Sequence, residues 1–588
     1  MKRGKYDYDP APFVAVPDGA GACVAGWTAI AERLQGAIAR SGRAKCVLVV
    51  DCYCGVDEEL VLRELTARLR PACSLPVRDA LLSPREIDAL VAPDLGDPDP
   101  LFGRLTRLEL PQFFDPAKLG SLSRRVEEVP RGIVLVVGCG ARLVAQGDMF
   151  IYADLSRWEA QLRQRRGAIG NLGADNLHLT ASLKYKRAYF IDWRVCDRWK
   201  APLIRSWDYV LDTNRPGDPV LADGAGIRSG LEEAARRPFR VVPFFDPAPW
   251  GGQWLKEAFG LDPGPSNYGW GFDCVPEENS LLLGFGPLRC ELPAIDLVFD
   301  QPQALLGKHI QERFGAEFPI RFDILDTMGG GNLSFQVHPL RDYIRRAFGL
   351  GYTQDESYYV IEAEPDASVY LGLREGVDPQ SMIRALRAAN AGGPAFPAGD
   401  FAMRWPAKKH DHFLIPAGTT HCLGADAVVL EISATPYIFT FKLWDWGRLG
   451  LDGTPRPVNL DRGEANIRWE RTAEWTRNNL INRTEACGSG PGWREERTGL
   501  HESQFIETRR HWFTGPVPHD TGAGLNVLNL VEGEGAVVES PDGGFAPFEV
   551  HYAETFIVPA SVGRYTLRPI RPGKACATIK ALVRELER

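Results

Sequence analysis

No stretch of this 588-residue chain approaches the roughly 18 apolar residues that a membrane-spanning helix needs. Its longest compact apolar runs, such as Ile133-Val134-Leu135-Val136-Val137, have the length of buried strands. No membrane partner is expected. The twelve cysteines include no Cys-x-x-Cys pair and stand singly apart from Cys52-Tyr53-Cys54. That pattern argues against a disulfide framework and for free thiols in a reducing cytoplasm. No apolar signal core follows the basic start Met1-Lys2-Arg3-Gly4-Lys5, because Tyr6-Asp7-Tyr8-Asp9-Pro10 comes next. Basic charge is in deficit: 68 lysines and arginines face 76 aspartates and glutamates, a net charge of −8. The basic face of a nucleic-acid binder is not foreseen. Internal repeats and low-complexity segments do not stand out either.

What is present is an ordinary globular balance, 44% hydrophobic and 24% charged, in a chain too long for one core. Three or four domains are expected. Up to about Arg237, apolar strands at 46–51, 133–137 and 149–154 alternate with helical stretches at 57–65 and 156–166. Such alternation predicts a mostly parallel α/β sheet.

Further on, Gly331-Asn332-Leu333-Ser334-Phe335-Gln336-Val337-His338-Pro339 puts a neutral oxygen ligand and an imidazole two residues apart. Residues i and i+2 of a strand point to one face, so Gln336 and His338 can aim at one point inside a barrel, and Pro339 stops the strand. This is half a metal site. The candidates for the other half are Glu356, in Asp355-Glu356-Ser357-Tyr358-Tyr359-Val360, and His421, in Ile415-Pro416-Ala417-Gly418-Thr419-Thr420-His421. Two imidazoles, one carboxylate and one amide oxygen suit Zn²⁺ and leave room for water or substrate. A single carboxylate leaves such a site net positive and attractive to the oxygens of a ligand.

Other motifs surround these in a set order. They are Pro243-Phe244-Phe245 with Trp250-Gly251-Gly252, Leu305-Leu306-Gly307-Lys308, Phe318-Pro319 leading to Leu325-Asp326, and Ala363-Glu364-Pro365-Asp366-Ala367 with Tyr370-Leu371-Gly372. Leu443-Trp444-Asp445-Trp446-Gly447-Arg448 closes the series. From about Phe239 to Arg448 the chain resembles the type I phosphomannose isomerases, zinc-dependent double-cupin enzymes that interconvert mannose 6-phosphate and fructose 6-phosphate. The resemblance implies Gln336, His338, Glu356 and His421 as ligands of Zn²⁺, and Arg448 at the active site, where a guanidinium stabilises negative charge. The other reading of Arg448 is an ion pair at a strand end.

The chain also departs from the family. The lysine that active members carry just before the Ile-Leu-Asp segment is Asp323 here, an anion that cannot replace a cation on a sugar phosphate. Asp323 is either a carboxylate base or an ion-pair partner of Arg321. The family's Gly-Glu-x-Trp is absent from 268–273, and its Thr-Tyr-Arg reads Thr440-Phe441-Lys442. His410 and His412 are read as solvent-facing strand residues.

Gly132 to Arg166 resembles the late strand, turn and Arg-rich helix of P-loop kinases of the uridine kinase type. The first turn, Asp51-Cys52-Tyr53-Cys54-Gly55-Val56-Asp57-Glu58, has no Gly-Lys-Ser/Thr, and its acids would repel phosphate. A kinase-like domain without kinase activity is expected, with Arg163, Arg165 and Arg166 on a solvated helix face. Beyond Arg448 come the turn-rich connector 451–457, a polar helical region at 472–479, and short strands at 526–531, 535–539 and 554–560 that suggest a jelly roll. It resembles the family's second cupin. No histidine follows its Ile557-Val558-Pro559-Ala560-Ser561-Val562-Gly563 turn, and no metal is expected there.

The expected architecture is thus multidomain: a kinase-like α/β domain over 1–237, a metal-binding cupin with helical insertions over 238–450, and a connector with a second, metal-free cupin over 451–588. The expected function is a zinc-dependent aldose-ketose isomerase acting on a small sugar phosphate. The alternative is a sugar-phosphate-binding or regulatory metal cupin that is non-catalytic or of altered specificity.

Overall fold

A computed structural model describes residues 4–584 except 97, 98, 435, 436, 438, 500, 502 and 523, so Met1, Lys2 and Arg3 of the basic start lie outside the described residues. Two compact units emerge. One comprises Phe13–Ala235 with Glu277–Gln301, the other Met1–Pro12, Arg236–Pro276 and Pro302–Arg588. All twelve cysteines are free thiols. Among the described residues no helix is long and apolar enough to cross a membrane.

The first unit is built on a seven-stranded sheet in the order Cys23–Ala25, Val220–Asp223, Tyr209–Asp212, Met149–Asp154, Lys45–Cys52, Gly132–Gly138, Cys73–Pro76. The last five strands are mutually parallel, and Val220–Asp223 runs antiparallel to both of its neighbours, Cys23–Ala25 and Tyr209–Asp212. Val47 to Val50 and Val134 to Val137 are continuous apolar runs because a parallel sheet is covered on both faces, and Leu48, Val49, Val50, Val134, Leu135 and Val136 are fully buried. A smaller sheet pairs Phe13–Ala15 with Ser280–Phe285 and Leu288–Pro293. Glu277–Gln301 therefore belongs with residues that precede it by some 260 positions in the chain, a pairing that a boundary near 237 does not foresee.

The turn after Lys45–Cys52 is filled by its own acids. Asp57 caps the helix Glu58–Leu69 by accepting from the Leu60 N–H at 2.9 Å. Glu58 accepts from the Cys139 N–H at 2.7 Å, and Asp51 from the Gly140 N–H at 2.9 Å and the Arg142 N–H at 3.1 Å. Backbone donors and a helix N-terminus of the kind that hold phosphate elsewhere are thus taken by carboxylates. Burial pushes Asp51 up to about 6 and Glu58 up to about 7. Arg163 does not sit on a solvated face. It is buried and donates to Glu159, to the Gly55 carbonyl and to the Thr213 carbonyl, which spends the charge inside the turn. Arg166 joins Glu159 at 3.0 Å.

The second unit holds two antiparallel double-sheet barrels. In the first, a six-stranded sheet (His412–Ile415, Glu356–Ala363, Ala427–Ser433, Arg321–Asp326, Trp270–Cys274, Phe244–Asp246) is opposed to a five-stranded one. The latter runs Ala402–Pro406, Ser368–Leu373, His421–Leu423, Phe335–Val337, Phe441–Trp444. The second barrel packs a six-stranded sheet from Glu485–Gly490 to Thr555–Val558 against the four strands Val517–Asp520, Arg564–Pro569, Gly535–Glu539 and Phe548–His551. Phe513, Leu528, Phe556 and Val558 from one sheet meet Val517, Val538, Val550 and Leu567 from the other in a dry core. Alternation of inward apolar and outward polar residues produces this arrangement. The helix Ala473–Leu480 lies in the connecting stretch, where the polar helical pattern is read.

Because its phosphate donors are already occupied, the first unit is expected to show no tight Mg²⁺-dependent binding of a nonhydrolysable ATP analogue by calorimetry. Tight binding abolished by changes at 51–58 would refute this.

Candidate metal centre

The strand Phe335–Val337 lies between His421–Leu423 and Phe441–Trp444, with Gln336 in register with His421 on one side and Lys442 on the other. His338 stands one residue beyond the strand, just before Pro339. Glu356 opens the strand Glu356–Ala363 in the opposing sheet, in register with Ile415 and Ser433. The two sheets so bring all four sequence-derived ligand candidates to one place. Glu356 Oε2 is 3.0 Å from His338 Nε2, and Glu356 Oε1 is 2.9 Å from His421 Nε2. The Gln336 amide lies 3.1 Å from His421 Nε2. One ligand atom each of His338, Glu356 and His421 falls within 4.8 Å of the others, and all three residues are fully buried.

The hydrogen bonds behind the rings decide what this cluster can hold. His338 Nδ1 donates to the Phe439 carbonyl and His421 Nδ1 to the Thr419 carbonyl, each at 2.9 Å. With those protons spent on carbonyls, both Nε2 atoms present lone pairs toward a carboxylate. His338 Nε2 and Glu356 Oε1 are buried without a properly formed hydrogen bond. Buried lone pairs and an anion gathered this closely demand a positive charge, and a divalent cation fits them. Burial works to raise the Glu356 carboxyl, but protons shared with His338 and His421, which occupy the place a divalent cation would take, hold it well below the usual carboxylate range, and Glu356 in turn raises His338 against the effect of its burial. Burial pushes His421 down, keeping it neutral as a ligand must be.

Sequence reasoning missed the residues that fix these ligands. Gln354 donates to Glu356 Oε2 at 3.0 Å and accepts from the Phe439 N–H at 2.7 Å, so one amide sets both Glu356 and the segment that orients His338. Arg471 donates to the carbonyls of Pro416 and Ala417 at 2.8 Å and to Thr419 Oγ1 at 2.5 Å, fixing the turn that supplies His421. Nothing in the local sequence marks either residue.

A polar row continues across the inner face. Asp323, Glu431 and Tyr358 are in register on adjacent strands, all buried. Asp323 is ion-paired with Arg321, which answers the choice left open by the sequence in favour of the ion pair. Burial first, and then the charges of Glu356 and Asp323, raise Glu431 well above the ordinary carboxylate range. A strand Glu-Ile-Ser pattern reads equally as a solvated edge, so this buried acid had no signal. Lys442, opposite Gln336, is pushed down to about 7 by burial, helped by Arg456 and Arg448.

Arg448 donates to Asp445 Oδ1 from Nε at 3.1 Å and from Nη2 at 2.6 Å, and from Nη1 to the Asn332 carbonyl at 2.5 Å. Asp445 also binds Arg456 at 2.8 Å. Of the two histidines read as solvent-facing strand residues, His412 is not so: it is buried, and desolvation pushes it down to about 3. His410, half-buried at a turn, meets Tyr359 Oη at 3.0 Å and Glu532 at 3.2 Å. Its side chain is held by packing partners that the strand pattern does not reveal.

Comparison with known proteins adds the following. Residues 26–236 match a domain of unknown function (DUF8485). A probable mannose-6-phosphate isomerase, GmuF, of Bacillus subtilis (strain 168) is 26% identical over 227 residues, 38% of this chain and 66% of that protein, just under two thirds of its length. A mannose-6-phosphate isomerase of Streptococcus mutans is 24% identical over 319 residues, 53% of this chain and 89% of that protein. These curated relatives are named mannose-6-phosphate isomerases. A crystal structure of the Bacillus subtilis mannose 6-phosphate isomerase aligns with 59% of this chain and 100% of its own, with 18% identity and a TM-score of 0.49.

Replacing His338 or His421 by Ala is expected to take bound metal from about one ion per chain to almost none, measured by elemental analysis on protein with unchanged circular dichroism. Gln354→Leu should weaken metal affinity roughly 10–100-fold, as loss of an outer partner does. Unchanged stoichiometric metal in both histidine variants would sink the assignment.

Proposed function

We propose that this chain is a Zn²⁺-dependent aldose-ketose isomerase interconverting mannose 6-phosphate and fructose 6-phosphate, with Gln336, His338, Glu356 and His421 as the metal ligands. The observation that carries the reading is the buried convergence of two imidazole lone pairs on one carboxylate. The names of the matched relatives give it a substrate.

Isomerisation moves a proton between C1 and C2 through an enediol, so it needs a base, a polarised carbonyl and stabilisation of developing charge. Bound Zn²⁺ would supply the polarisation. The other tasks fall to side chains of the inner face. Lys442, pushed down to about 7, exchanges protons readily at neutral pH and stands across from Gln336. It takes over the proton-carrying role that Asp323, spent on Arg321, cannot perform. Arg448, anchored by Asp445 and the Asn332 carbonyl, stabilises negative charge on the substrate. Glu431, kept protonated, donates a hydrogen bond to a sugar oxygen.

A second reading, a sugar-phosphate-binding regulator without turnover, is favoured by the Arg321–Asp323 pair standing where the family has a free lysine. For the first unit we propose a P-loop-kinase-like α/β fold without nucleotide chemistry. The central place of Lys45–Cys52 in five parallel strands and the acid-filled turn after it support this. Cytoplasmic residence is supported by the twelve free thiols.

A coupled assay following fructose 6-phosphate from mannose 6-phosphate tests the reading. Turnover should require metal. Arg448→Ala should lower kcat by about 10²–10³, the usual cost of losing a charge-stabilising group. Lys442→Met should be at least as damaging, and Lys442→Arg should not rescue it, because arginine keeps its proton. Binding of a hexose phosphate by a metal-loaded protein that never turns it over would favour the regulator instead.

A further inference from the structure

The carboxyl edge of the seven-stranded sheet, where open α/β sheets place their reactive sites, gathers thiols beside the acids of the first turn. Lys45–Cys52 and Gly132–Gly138 are neighbouring parallel strands, with Asp51 in register with Gly138. Cys54 therefore stands two residues past the end of one strand, and Cys139 one residue past the end of the other. The helix Trp193–Lys200 brings Cys196 to the same edge. Two contacts fasten it there: Asp197 accepts from Tyr53 Oη at 2.8 Å, and Trp199 Nε1 donates to Asp51 at 3.1 Å. A π-helical turn, Ala188–Asp192, leads directly into this helix, a distortion that concentrates at functional sites. Cys139 Sγ lies 3.9 Å from Cys196 Sγ, and both residues are buried.

Three cysteines from three separate segments so meet around one sulfur. Cys139 and Cys54 both donate to Cys196, which holds the Cys196 thiol below the usual range, while the bond to Cys196 and burial push Cys139 up. A thiolate beside a thiol is the arrangement of a redox pair, one sulfur attacking the oxidant and the other resolving the product. A metal suits these sulfurs less well. Among the described residues, only His338, Glu356 and His421 bring three such ligand atoms within 4.8 Å of one another. Cys54 is half-buried and gives a small oxidant its approach. Cys139 stands between Gly138 and Gly140, at φ 140° and 77°, so its sulfur can turn without moving a neighbouring side chain.

We propose that Cys139 and Cys196 are a two-electron redox site, closed to a disulfide by a hydroperoxide and reopened by a dithiol. The Cys196 thiolate attacks the terminal oxygen of the hydroperoxide, the O–O bond breaks, and the alkoxide or hydroxide that leaves takes a proton from water. Cys196 is then a sulfenic acid. The Cys139 sulfur attacks it, the S–O bond breaks, and hydroxide departs with the Cys139 proton as water. Two thiols are oxidised by two electrons and one peroxide is reduced by two. A dithiol reverses the change by exchange and leaves as its own disulfide. The site lies wholly in the first unit and is independent of the isomerase reading.

The test treats the reduced full-length protein with hydrogen peroxide, blocks the remaining thiols by alkylation and maps the peptides by mass spectrometry. Free thiols should fall from twelve to ten per chain, with Cys139 and Cys196 in one cross-linked peptide that dithiothreitol releases. Cys54→Ser should keep the cross-link, because a hydroxyl still donates to Cys196. Cys139→Ser should lose it and leave a sulfenic acid that dimedone traps on Cys196. Wild-type mapping decides the pairing even where a variant fails to fold. Twelve thiols still free after peroxide would overturn the proposal, as would a disulfide joining Cys54 to Cys196 or a dimedone adduct on another cysteine. A second tightly held metal ion per chain, lost in Cys139→Ser, would overturn it too by giving these sulfurs to that ion.

Discussion

One electrostatic demand organises the second unit: Glu356 is held as an anion between two imidazole nitrogens whose own protons are committed elsewhere. In water such a group is harmless, but in a fully buried site it is costly unless a cation completes it. The surrounding structure is arranged to keep that demand in place. Gln354 prevents the carboxylate from turning away, and the Phe439 and Thr419 carbonyls prevent the rings from flipping their protons inward. Arg471 pins the turn on which the second ring depends.

Around that centre the inner face trades charges. Asp323 neutralises Arg321, burial and then its acidic neighbours keep Glu431 protonated, and burial, helped by two arginines beside it, weakens Lys442. A face that would otherwise carry several full charges is left with groups close to their protonation midpoints or neutral. That is the condition in which protons move at low cost, and it arises first from burial and then from packing like charges together rather than from any one residue.

How much of this was readable in the chain depends on periodicity. The i, i+2 spacing of Gln336 and His338 states their shared face outright, and the valine-rich runs at 46–51 and 133–137 state a covered parallel sheet. Glu356 and His421 needed the ordered motifs around them, since a lone Glu or His on a short strand has no distinguishing context. Gln354, Glu431 and Arg471 stayed invisible because their roles come from contacts with residues 52 to 85 positions away, or across a sheet, which spacing cannot encode. His412 was misjudged for a related reason: alternation tells which residues share a face, not which face is wet.

The small sheet of Phe13–Ala15, Ser280–Phe285 and Leu288–Pro293 has a bearing on biosynthesis. Its first strand leaves the ribosome well before its partners, which follow some 270 residues later in the chain. By then Phe244–Asp246 and Trp270–Cys274, which belong to the first barrel, have already emerged without most of theirs. The nascent chain therefore carries unpaired strand edges from both units at once, the condition under which wrong pairings and chaperone dependence arise. A gene fusion that simply placed one finished domain before another would not create that overlap, so the two units are interleaved in synthesis as well as in sequence.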